Sequence, residues 1–155
     1  MTDNTALILC LDQNRKIIRE DGGIGMVYYE DEAVRCVESW RKNGGGYSDI
    51  PIYLFNFKKD LNPALIRYFL GVEGTTVVDA YKLYPENLDR RLFVNTMLAQ
   101  TVAEQAHFIP EEFLIYTDLD MILMSEPRFG NLDGHVIIGE YRGSDKMTPE
   151  LAYRF

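Results

Sequence analysis

Short apolar runs alternate along the chain with polar stretches whose apolar residues fall at helical spacing. Ala6-Leu7-Ile8-Leu9-Cys10-Leu11 is continuous and stops at Asp12-Gln13-Asn14. A run of this kind reads as a strand buried on both faces, as in a parallel sheet covered by helices. Ile50 to Asn56 is a second such run, with Pro51 tolerable only near its start. Thr75-Thr76-Val77-Val78-Asp79 is a third, rich in β-branched residues. Phe113-Leu114-Ile115-Tyr116 is a fourth, and Gly134 to Glu140 a fifth.

Between these runs the period changes. Ala33, Val34, Val37 and Trp40 predict a helix with Asp31 as its cap and Asn43-Gly44-Gly45-Gly46 as its stop. Asn62 caps a second, with Pro63 at the first helical position and Ala64 to Leu70 running to Gly71. The longest predicted helix covers Asn87 to His107, with Leu88, Leu92, Ala99, Val102, Ala103 and Ala106 on one broad face. Arg15 to Glu30 reads as a surface loop or short hairpin, and Lys146 onward as a polar tail. Alternation of strand and helix predicts an α/β fold with a mostly parallel sheet flanked by helices. At 155 residues it is one domain, long enough to bury a core.

Charge narrows the partners. The net charge is −8, and no Lys/Arg block occurs. Nucleic acid, which needs a basic face, is therefore not the expected partner. No run approaches the length of a membrane span. Met1-Thr2-Asp3-Asn4 lacks the basic flank of a signal peptide, and Ala6 to Leu11 is too short for its apolar core. Cys10 and Cys36 have no metal-ligand spacing and read as buried free thiols. These features predict a cytoplasmic protein. The Asp21-Gly22-Gly23-Ile24-Gly25 stretch lacks the Lys and Ser/Thr of a phosphate loop and reads as a flexible turn.

The candidate chemistry lies at Thr117-Asp118-Leu119-Asp120-Met121. Asp is a poor strand former, so two of them just past an apolar run mark the strand's carboxyl end. That is the end at which open α/β sheets bind ligands. Asp118 and Asp120 offer two hard oxygen donors on one short segment, which suits Mg²⁺ or Mn²⁺.

An apolar strand, then Asp118-Leu119-Asp120, then Met121-Ile122-Leu123-Met124 resembles the DxD motif of GT-A-fold nucleotide-sugar glycosyltransferases. The order of elements over about residues 6 to 142 resembles their nucleotide-binding half, which is Rossmann-like. The resemblance implies transfer of a sugar from a nucleoside-diphosphate sugar to an acceptor hydroxyl on a glycan, lipid or protein. It implies that Asp118 and Asp120 hold Mn²⁺ or Mg²⁺ beside the diphosphate. Leu11 and Asp12 at the first strand's end, Asp79 at the third's, and Leu119 within the motif become nucleotide-binding candidates. Arg90 and Arg91, the only adjacent arginines, are candidates for the diphosphate, since a guanidinium fork fits phosphate oxygens. His135 is a weaker candidate for a third metal ligand, while His107, Tyr81, Tyr84 and Tyr116 read as structural. The chain departs from the family in length. The acceptor half expected after the motif is short or missing, which puts the catalytic base in doubt and would expose apolar surface that invites self-association.

Two other readings compete. Haloacid-dehalogenase-like phosphatases also place Asp-x-Asp after a strand, but on their first; here three predicted strands precede it and Met121 follows. A non-catalytic domain that binds a nucleotide or a partner is the other.

Overall fold

A computed structural model describes residues 4–12, 15–18, 20–27, 29–83, 94–105 and 107–129. The first apolar run forms strand β1 (Thr5–Leu11), and the second forms β4 (Ile52–Asn56). These two lie side by side in parallel register, Leu7 opposite Ile52 and Leu11 opposite Asn56. Both are interior strands, which is why their sequences are apolar from Ala6 to Leu11 and from Ile52 to Phe55. β5 (Thr75–Val78) and β6 (Phe113–Tyr116) flank them, giving a parallel sheet in the order β5-β4-β1-β6. The flanking strands are only partly buried.

Helices cover both faces, and alternate side chains of β1 choose between them. Leu7, Leu9 and Leu11 pack with Ala33, Cys36, Val37 and Trp40 of α1 (Tyr29–Asn43) and with Phe69 of α2 (Pro63–Gly71). Ala6 and Ile8 pack on the other face with Ala99 and Ala103 of α4 (Val94–Gln105) and with Ala80 of α3 (Ala80–Leu83). The expected α/β class is therefore present, as a Rossmann-like half fold.

Several boundaries differ from expectation. α1 begins at Tyr29, so Asp31 is not its cap; with Glu30 and Glu32 it occupies the first turn, where negative charge opposes the helix dipole. The glycine stop is as expected. Gly44 N–H donates to Trp40 O (2.9 Å), and a Cβ on Gly44 would lie 2.5 Å from that oxygen. α2 starts as predicted, with Asn62 Oδ1 accepting from Ala64 N (2.9 Å). α3 was not expected; four residues are too few to show a period. Of the helix predicted over Asn87 to His107, Val94–Gln105 is helical and His107 sits in a turn, while its predicted start at Asn87 and residue 106 lie outside the described residues. Arg15 to Glu30 resolves into a hairpin of β2 (Arg15–Ile18) and β3 (Ile24–Val27), turned through Gly22 at φ 78°. Tyr84, Arg90, Arg91, the predicted strand at 134–140 with His135, and the tail lie outside the described residues. Among the described residues no helix is long and apolar enough to cross a membrane.

Candidate functional site

The strand order fixes where the chemistry gathers. The chain moves outward from β1 to β4 and β5, then returns to place β6 on the other side of β1. The reversal opens a crevice between the carboxyl ends of β1 and β6, the position at which α/β sheets bind ligands. β1 leads into Asp12 and β6 into Thr117 and Asp118, so Asp12 and the Asp-x-Asp segment share this crevice rim.

The segment is a tight turn, with Met121 N–H donating to Asp118 O (3.2 Å). Leu119, only 5% exposed, anchors it in the core beside Leu11 and Cys36. An inward Leu119 leaves Asp118 and Asp120 solvent-accessible on either side of it. Partial burial, and then the charge of Asp120, raise the Asp118 carboxyl above its usual range. Beneath the turn, burial and then Asp120 push the Cys36 thiol up to about 12. The negative charge of Asp120 thus reaches two neighbouring groups, and a cation bound there would relieve both. Among the described residues no group of three or more His, Cys, Asp or Glu side chains gathers around one point. The donor set fits Mg²⁺ or Mn²⁺ held by two carboxylates, with the remaining positions left to water or phosphate oxygens.

A cleft of about 230 Å³ adjoins the turn on the α4 face, lined by Ile8, Cys10, Ala99, Gln100, Tyr116, Thr117 and Asp118. The Tyr116 hydroxyl donates toward Gln100 O and Glu104 Oε1 (3.4 Å each), tying β6 to α4. Its burial, followed by the charge of Glu104, raises its pKa, so the phenol stays neutral. Tyr116 is a wall of the cleft and a tether.

The remaining sequence candidates are spread along the same rim. The Leu11 side chain is fully buried, and its carbonyl accepts from Phe57 N (2.9 Å). Asp79 follows β5, three strands from β6 and so about 14 Å across the sheet. Its Oδ2 pairs with Lys82 of α3 (2.5 Å). The rim is thus shared by all the described candidates, but Asp79 stands at the far flank from Asp118 and Asp120. His107 lies on the connection entering β6, at the opposite, amino edge of the sheet.

Sequence reading missed two features of this region. One is a buried ion pair between Lys58, just past β4, and Glu30 in the first turn of α1. The other is the attachment of the chain beyond Met121 to α1 through Ser39 and Asn43. Each joins residues far apart in sequence, so no local pattern announces either.

Raised titration at Asp118 has a measurable consequence. Its folded pKa stands above the ordinary carboxylate value, so the folded state holds the proton more tightly than the unfolded one. The penalty for its charge is therefore present above the folded pKa and disappears as pH falls to the unfolded value. Metal-free Asp118→Asn protein should be more stable than wild type at neutral pH, with the difference vanishing in acid. Urea unfolding at both pH values checks this; an Asn variant less stable at neutral pH would contradict it.

No protein-family model matches this chain, and no curated protein or solved structure does either.

Proposed function

We propose that this protein is a metal-dependent glycosyltransferase that moves a sugar from a nucleoside-diphosphate sugar to an acceptor hydroxyl. The observation that carries the reading is the Asp118–Asp120 turn at the carboxyl end of β6, at the crevice where the strand order reverses beside β1. In this reading Asp118 and Asp120 hold the cation, Asp12 and the backbone at Leu11 and Leu119 meet the nucleotide, and Asp79 borders the same rim. Arg90 and Arg91 are proposed for the diphosphate. The cation, when bound, neutralises charge on the leaving diphosphate. The protein's part is to hold donor and acceptor oxygens in line and to present both carboxylates on one short turn.

The first turn of α1 supports a metal rather than a helix as the phosphate partner. In dinucleotide-binding folds the diphosphate sits on the helix after the first strand. Here a hairpin separates β1 from α1, and Glu30, Asp31 and Glu32 fill that helix's first turn. Phosphate would be repelled there, whereas at Asp118 and Asp120 a cation reverses the sign of the field.

Calorimetry with uridine, guanosine and adenosine diphosphates, with and without Mn²⁺, tests the proposal, followed by product analysis with the matching sugar nucleotides. Selective binding of one base, enhanced by Mn²⁺, is expected. Binding without sugar transfer to any acceptor or to water would favour the non-catalytic reading, and no binding at all would reject both.

A further inference from the structure

Past the turn, residues 121–129 form neither helix nor strand, so their backbone must find partners other than a helix or a sheet. At Leu123, α1 supplies them. Leu123 N–H donates to Ser39 Oγ (3.0 Å), and Leu123 O accepts from Asn43 Nδ2 (2.6 Å). Both polar groups of one peptide residue are thus taken by two side chains about one helical turn apart. Ser39 Oγ donates its own proton to Cys36 O (2.7 Å), which leaves its lone pair for the Leu123 amide. One turn earlier, Cys36 Sγ lies 4.0 Å from Asp118 O. Positions 36, 39 and 43 recur at the spacing of one helix face, so one stripe of α1 touches the Asp-x-Asp turn at its start and grips the chain just beyond its end.

Ser and Asn are indifferent helix formers, and a buried Ser in mid-helix needs a use for its hydroxyl. Ser39 is buried, and the grip on Leu123 is that use. α1 itself is rigidly seated, with Ala33, Cys36, Val37 and Trp40 packed beneath β1. The turn it backs carries two like charges, and without restraint a flexible loop would let them swing apart.

We propose that Ser39 and Asn43 are positioning residues for the Asp118–Asp120 pair. By fixing Leu123 against α1 they restrain the turn that carries both carboxylates. The inference rests on the metal-site reading given above. Supports of this kind usually matter at the level of ten- to hundredfold in metal affinity.

The test uses the full chain and Mn²⁺ itself, titrated by electron paramagnetic resonance. Asn43→Ala and Ser39→Ala should each weaken Mn²⁺ binding by about tenfold or more while leaving the far-ultraviolet spectrum unchanged. Asn43 is the last residue of α1, so its replacement should not disturb folding; Ser39→Ala provides the second, independent variant. Hydrogen exchange should quicken at residues 118–126 in both. Tyr68→Phe is the control, because it removes a bond from α2 to Glu38 of α1 (3.2 Å) away from the grip. It should leave Mn²⁺ affinity at the wild-type value, which general loosening of α1 would not. Folded Asn43→Ala and Ser39→Ala proteins with wild-type Mn²⁺ affinity would overturn the positioning role alone. A wild-type chain that takes up no Mn²⁺ would overturn the metal-site reading and this inference together.

Discussion

Asp120→Asn is expected to abolish most of the gain in nucleoside diphosphate affinity that Mn²⁺ brings, with the fold unchanged. Two carboxylates alone hold Mg²⁺ or Mn²⁺ weakly, because the ion keeps several waters until phosphate oxygens replace them. A diphosphate, for its part, meets a chain of net charge −8 and needs the ion's charge to settle beside two aspartates. Each ligand should therefore improve the other's binding, and by thermodynamic reciprocity the two enhancements are equal. Asn keeps the shape of the side chain and removes its charge. Asp120 is exposed, on a turn whose anchor is the neighbouring Leu119, so the substitution touches no packing. A loss of at least about tenfold in the enhancement, or about 1.4 kcal/mol, is expected. Calorimetry of the diphosphate with and without Mn²⁺, in wild type and variant, measures it. Equal enhancement in the two proteins would remove Asp120 from the ligand set.

How far such a site can be read from sequence depends on how local its causes are. β1 and β4 were legible because interior parallel strands are buried on both faces, and Ala6 to Leu11 and Ile52 to Phe55 advertise this in unbroken apolar runs. α2 was legible because its start is written in two adjacent residues, Asn62 and Pro63. The Asp-x-Asp turn was legible as two strand-breaking carboxylates after an apolar run. Less visible was the start of α1, where Tyr29, Glu30 and Asp31 carry no apolar period and the helix is decided by what its later turns bury. α3 is a single turn stabilised by the Asp79–Lys82 pair, below the length at which a period exists. The order of strands cannot be read from any run taken singly. It alone separates Asp79 from Asp118 by the width of the sheet while putting Asp12 at the end of the strand next to β6. The grip of Ser39 and Asn43 on Leu123 joins positions about 80 residues apart, and only tertiary packing creates it.

Lys58→Met is expected to produce the largest loss of stability, about 3 kcal/mol or more. Lys58 leaves the end of β4 with its backbone N–H donating to the Oδ1 of the fully buried Asn56 (2.9 Å), which turns its side chain beneath the rim. There its ammonium meets Glu30 Oε1, and the two side chains are only 8% and 14% exposed. Glu30 Oε2 is buried without a hydrogen-bond partner, so the carboxylate already lacks part of its compensation. Taking away the cation leaves a desolvated negative charge in the first turn of α1, and that, more than the lost attraction, is what makes breaking a buried pair costly. The cost is a large fraction of the roughly 5–15 kcal/mol that holds a domain together. Replacing both partners with apolar side chains should behave differently, since Lys58→Met with Glu30→Met removes both desolvation penalties together. The double variant is expected to regain more than half of what the single one loses. Urea unfolding, compared at constant m-value, reads both quantities. If Lys58→Met cost less than about 1 kcal/mol, the size of an exposed pair, the rim between β1 and β4 would be wet in solution. The first turn of α1 would then be open to solvent.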